Sequence, residues 1–135
     1  MNDKFKIKSA EGKETIFDII RKRYVSLTPE EWVRQHFLHY IISEKKYPPS
    51  LISVEKRIII GEVSKRFDIL VYKNASPWML VECKSESLNI NDNTLSQLLA
   101  YNSSLKVKYL TFTNGSTILC FDIANHTWSS ELPEF

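Results

Sequence analysis

The sequence predicts an α+β (α/β) domain: one mixed sheet flanked by helices, with a short β extension at its N-terminus. Three observations carry that expectation. The periodic segments run in the order helix, three extended stretches, helix, two extended stretches. A well-capped amphipathic helix begins at Thr28. Two apolar runs, residues 66–72 and 78–84, are joined by the turn Lys73-Asn74-Ala75-Ser76-Pro77 and read as a β-hairpin.

In order along the chain, Lys4-Phe5-Lys6-Ile7-Lys8 alternates and is followed by the turn Ala10-Glu11-Gly12-Lys13, which suggests a short hairpin. Residues 16–25 are compatible with extended chain or helix. Thr28 then reads as an N-cap, Pro29 as the first helical residue, and Glu31 as the return partner of a capping box. Val33, Phe37, Tyr40 and Ile41 follow at helical spacing, and Tyr47-Pro48-Pro49 ends the helix. Extended runs are expected at residues 52–60, 66–72 and 78–84. Asn91-Asp92-Asn93 caps a second helix through Leu95, Leu98, Leu99 and Asn102. Two last strands, 109–113 and 118–123, flank the turn pair Asn114-Gly115. The chain of 135 residues contains no repeat or linker. It reads as a single domain: β extension 1–27, core 28–123 and C-terminal tail 124–135.

Apolar content of 43% with 25% charged residues fits a globular chain rather than a disordered one. No apolar stretch approaches the ~18 residues of a membrane helix, and the first residues lack the apolar segment of a secretory signal. The expected location is therefore the cytoplasm, with no membrane partner. Cys83 and Cys120 suit a reducing compartment and make no disulfide framework. The net charge of +2 is unevenly spread: residues 1–66 hold 14 Lys/Arg against 9 Asp/Glu, the remainder 4 against 7. A basic first half suits a phosphate backbone, although an ordinary solvated surface explains it as well. The aromatics Trp32, Tyr40, Trp78 and Tyr109 are expected in the core. His36 and His39 lack a third ligand at zinc spacing and, with His126, read as ordinary polar positions.

The hairpin holds the chemistry. With its turn centred on Ala75, facing residues have numbers summing to about 150, which sets Asp68 opposite Glu82. Opposed side chains on antiparallel strands have Cβ atoms about 5 Å apart. Lys84 shares the face of Glu82 because side chains alternate. Two carboxylates and an ammonium thus meet within otherwise apolar strands. Paired carboxylates in such a place need compensation, and Mg²⁺ (or Mn²⁺) suits oxygen donors of this kind. Asp68 and Glu82 are the expected metal ligands and catalytic carboxylates, the backbone carbonyl of Cys83 is an additional ligand, and Lys84 is the catalytic cation that orients water and offsets charge on phosphorus.

Asp68 followed by Glu82-Cys83-Lys84, in this element order, resembles the PD-(D/E)XK nuclease superfamily, with Phe67 standing in the proline position. The stretch from Arg21-Lys22-Arg23 through Thr28-Pro29-Glu30-Glu31-Trp32-Val33-Arg34-Gln35 looks in particular like the N-terminal nuclease domain of type I restriction enzyme R subunits. The resemblance implies a restriction-endonuclease-like αβββαβ core and Mg²⁺-dependent hydrolysis of DNA phosphodiesters. It also implies assembly as a homodimer or within a larger restriction or repair complex. Members often add a glutamate from the first helix to the metal site, and here Glu30 and Glu31 compete. Glu30 lies on the stripe of Val33, Phe37 and Ile41 and is the preferred ligand, since Glu31 is taken up by the capping box. Gln97-Leu98-Leu99-Ala100-Tyr101 resembles the Gln-x-x-x-Tyr motif of RecB-type and type I restriction nucleases, and its i, i+4 spacing puts Gln97 and Tyr101 on one helix face as substrate-binding candidates. The rival reading is a catalytically silent nucleic-acid-binding or protein-interaction module on the same fold.

Overall fold

The cap at Thr28 sets the first helix. In the computed structural model, which describes residues 5–135, the Thr28 hydroxyl accepts from the Glu31 backbone N–H at 3.0 Å and starts α1 (Pro29–Ser43). Only half of the expected capping box forms. The Glu31 carboxylate does not return to Thr28 but is drawn to arginines, as described below.

Ahead of α1, β1 (Ile7–Ala10), β2 (Lys13–Asp18) and β3 (Arg23–Ser26) make a separate antiparallel sheet. Its first turn uses Glu11 and Gly12 at φ 52° and 76°, the left-handed pair that a tight hairpin turn requires. Lys4, part of the expected first run, lies outside the described residues. The ambiguous stretch 16–25 resolves into extended chain on both sides of a turn.

After α1, a short 3-10 turn (Pro49–Leu51) leads to β4 (Ile52–Ile60), β5 (Val63–Lys73) and β6 (Ser76–Cys83). Then come α2 (Asp92–Leu105), β7 (Tyr109–Thr113), β8 (Ile118–Asp122) and β9 (Thr127–Ser129). These strands form one six-stranded sheet in the order β4-β5-β6-β7-β8-β9. Only β6 and β7 pair in parallel, and α2 supplies the long crossover that a parallel pair needs. The expected α+β fold with a mixed sheet between helices is the one observed.

Alternation along the strands sorts the core into two clusters. Ile69, Val71, Met79 and Val81 pack with Phe37 and Leu38 of α1 on one face. Leu70, Leu80, Leu110 and Phe112 pack with Leu98 and Leu105 of α2 on the other. Among the described residues no helix is long and apolar enough to cross a membrane.

Two expectations change. Trp32 and Tyr40 are not core: they are 41% and 38% exposed. The buried arc of α1 runs through Val33, Arg34, Phe37, Leu38 and Ile41, and at 100° per residue Trp32 falls on its far side and Tyr40 at its margin, next to Val33. Trp78, by contrast, is buried, and Tyr109 packs against the first cluster. Residues 124–135 are more than a tail, because they contribute β9 and close the first cluster. Leu132 is buried, the Tyr47 hydroxyl donates to the Pro133 carbonyl at 2.6 Å, and the Phe135 ring sits 5.2 Å from Trp78. Leu132→Ala should therefore cost about 2–4 kcal/mol, seen as a lower urea midpoint at unchanged m. A free tail would leave the midpoint where it was.

Candidate active site

The site forms where β5 and β6 leave regular alternation. The register Ile69↔Val81, Leu70↔Leu80 and Val71↔Met79 has the sum of 150 expected from the turn. Continued one step, it faces Asp68 toward Glu82. Instead of a further ladder bond there, the Asp68 carboxylate accepts from the Cys83 backbone N–H at 2.7 Å. On its other side, the β4–β5 pairing skips Glu55 and Asp68 between Val54↔Ile69 and Lys56↔Phe67. Glu55 adopts φ 56°, a left-handed conformation unusual for a residue with a side chain and typical of a strand irregularity. Phe67 packs in the same cluster as Leu70, and Asp68 sits at the one unpaired position of a ladder whose register is the same on both sides.

Electrostatics follow from this placement. Glu82 is largely buried, and its Oε2 has no hydrogen-bond partner among the described residues. Burial, then the charge of Asp68, pushes the Glu82 carboxyl up to about 7, against the opposing influence of Lys65, Lys84 and the Asp68 backbone N–H. Asp68 is also raised, by burial first, while the Cys83 N–H, Arg34 and Lys84 hold it back. Lys84 is exposed just beyond β6, and its backbone N–H is tied to the Thr113 carbonyl at 2.8 Å. Cys83 itself is a buried free thiol, raised far above its usual range by burial.

A partly buried carboxylate pair with one orphaned oxygen is a donor set that a divalent cation would satisfy. Asp68 and Glu82 fit that role, with the Cys83 carbonyl alongside. Among the described residues no three His, Cys, Asp or Glu side chains form a metal-holding group, so the remaining positions around an ion would fall to water and substrate.

The first-helix glutamates differ from expectation in their burial. Glu30 is exposed, whereas Glu31 is only 5% exposed. The helical-wheel angle of Glu30 is inward, but angle alone does not bury a residue of the first turn. Glu31 is covered by Arg21 from the β2–β3 turn, which donates to it at 3.1 Å. Arg34 Nη2 and Gln35 Nε2 donate to it at 3.0 and 2.9 Å. Arg34 is the residue that sequence reasoning passed over. Its Nη1 donates to Glu55 at 2.8 Å and to the Asp68 carbonyl at 3.2 Å. Burial pulls its pKa down, but Glu55 and Glu31 more than offset this and hold it above its ordinary value. The i, i+3 pair Glu31/Arg34 was visible in the sequence; its reach to β4 and β5 was not.

Gln97 is exposed. Tyr101 is half-buried beside the α2 cluster, its ring 6.4 Å from Phe67 and 5.8 Å from the Lys65 ammonium. Its nearest link to the carboxylates runs through Lys65, which also acts on Glu82. Lys65 had no place in the sequence-based site.

The fold and this site together define a carboxylate pair followed by lysine at the ends of two adjacent interior strands of a mixed sheet. Residues 29–134 match the family described as type I restriction enzyme R protein N terminus (HSDR_N), and the chain belongs to that family. Among curated proteins and among solved structures there is no significant match.

Because the folded carboxyl of Glu82 is raised above its unfolded value, its contribution to stability is fully present below about pH 4.5. That contribution is lost as pH rises through about 7. In EDTA, Glu82→Gln should therefore match the parent near pH 4 and exceed it at pH 8 by on the order of 2 kcal/mol. Urea melts at both pH values measure this, and a variant equally or less stable at pH 8 would show that Glu82 is not held against its charge.

Proposed function

We propose that this chain is a divalent-metal-dependent nuclease domain of the PD-(D/E)XK type, acting on DNA phosphodiesters as part of a restriction-related assembly. The observation that carries the reading is the partly buried Asp68–Glu82 pair, with a buried, unpartnered Glu82 oxygen, at the end of a strand that delivers an exposed lysine two residues on. A module that only binds DNA has no use for two mutually repelling carboxylates in an apolar hairpin. Membership in the type I restriction enzyme R protein family supports DNA as substrate and other restriction subunits as partners.

In this reading Asp68 and Glu82 hold Mg²⁺ or Mn²⁺, and the Cys83 carbonyl adds a neutral donor. When present, that ion would supply Lewis-acid polarisation of the phosphodiester and a more acidic water. Lys84 orients the water and offsets the negative charge that grows on the phosphorane oxygens. Arg34 keeps Asp68 in place through the backbone carbonyl, and Tyr101 supports the Lys65 side of the site. Gln97, exposed one turn before Tyr101 on the same helix, is the candidate for substrate contact.

The test compares cleavage of single- and double-stranded DNA with Mn²⁺ or EDTA. The parent should cut only with the metal. At saturating Mn²⁺, Lys84→Ala should lose on the order of 10²–10³ in rate with circular dichroism unchanged. Asp68→Ala should lose metal affinity and activity together, and His36→Ala should stay near the parent. If Lys84→Ala cuts as fast as the parent, the catalytic assignment fails and the silent binding module becomes the better reading.

A further inference from the structure

Beside Lys84 the loop between β6 and α2 opens into two adjoining hollows. The first, about 290 Å³, is lined by Lys84, Glu86, Ser87, Asn89, Ile90 and Thr94. The second, about 420 Å³, shares Asn89 and Ile90 and continues over Leu95 and Leu119 to Trp128. The second volume lies within the ~300–1,000 Å³ usual for small-ligand sites. Charge is divided between them. Lys84 and Glu86 stand in the first, whereas the described residues lining the second carry no formal charge.

Trp128 is a prepared surface. Its indole rests against buried Phe121, with ring centroids 4.9 Å apart, yet remains 43% exposed. Polar groups sit near it at the mouth. Asn91 spends its side-chain oxygen on the N-cap of α2, accepting from the Thr94 N–H at 2.9 Å. Asn89 makes no side-chain hydrogen bond to the described residues.

We propose that this trough seats one unpaired nucleobase of the substrate, stacked on Trp128, while its phosphate lies at Lys84. The occupant follows from the chemistry. An uncharged hollow with an aromatic wall, aliphatic floor and amide rim matches a flat neutral heterocycle with hydrogen-bonding edges, not a second phosphate. A base stacked within a duplex cannot offer its face to an indole, so the base must be unpaired, from single-stranded DNA or by extrusion. The proposal rests on the nuclease reading and narrows its substrate to strands with an unpaired nucleotide beside the cut.

Binding is measured in EDTA, where no cleavage occurs, by anisotropy of a labelled single strand, a perfect duplex and a duplex with one unpaired thymine. The parent should prefer the single strand and the unpaired thymine. Trp128→Ala should weaken both by roughly 5- to 100-fold while changing duplex affinity little, and Trp128→Phe should retain most of the affinity. Because Trp128 packs on Phe121, Asn89→Ala at an exposed loop position gives a second probe, expected to cost roughly 2- to 10-fold on the single strand. Equal losses on single strand and duplex, or no loss in either variant, overturn the base site. If those variants are silent while Mn²⁺-dependent cleavage by the parent still depends on Lys84, only this inference falls. If the parent binds no nucleic acid at all, the nuclease reading falls with it.

Discussion

The Arg34 guanidinium is the constraint on which the rest of the structure turns. One planar group joins Glu31 on its own helix, Glu55 on β4 and the Asp68 carbonyl on β5. Through Glu31 it also reaches Arg21, and through Arg21 it reaches Asp18, a buried carboxylate at the end of β2 bonded at 2.6 Å. The N-terminal sheet, α1 and strands β4 and β5 of the main sheet are thereby tied by charge-assisted bonds, which are stronger than neutral ones. Removing one partner from such a buried set strands the others without compensation, a loss of about 3–5 kcal/mol where it has been measured. The network also includes the left-handed Glu55. Its carboxylate meets Arg34 at 2.8 Å, and Glu55 and Asp68 form the one unpaired position of an otherwise regular ladder.

That unpaired position matters for chemistry. A carboxylate inside a regular strand points to one face and shares it with apolar neighbours. Asp68 instead turns its carboxylate onto the Cys83 N–H, close enough to Glu82 for each charge to disfavour the other. The hydrophobic packing of both sheet faces holds the pair in that position. Folding energy from Ile69, Leu70, Leu80 and Val81 is thus set against local repulsion at the strand end, a distribution common at functional sites.

Much of this was legible in the sequence. The α1 start could be read from Thr28-Pro29. The hairpin register followed from the turn centre, because period-two geometry leaves little freedom once the turn is placed. The neighbourhood of Asp68, Glu82 and Lys84 followed from that register. What could not be read depends on contacts distant in sequence. Arg34 looked like an ordinary polar residue because its partners lie 21 and 34 positions away. The helical wheel favours Glu30 over Glu31, yet Glu31 is the buried one, covered by Arg21 from another sheet. The three residues of β9 carry too little pattern to stand out from a tail, and the Phe121–Trp128 contact across their pairing is visible in the structure, not in the sequence pattern. Trp32 and Tyr40 look like core residues by type, and only the position of the sheet shows Trp32 on the outer face and Tyr40 at the margin.

The central claim, that Asp68 and Glu82 are paired to hold a divalent ion, is tested most directly by calorimetric titration of the intact chain with Mn²⁺. The parent should bind one ion with measurable heat, while Asp68→Asn and Glu82→Gln, which keep shape and remove charge, should each lose most of that affinity with the fold preserved. Superimposable titrations of the parent and both variants would contradict it, as would a parent that binds no ion.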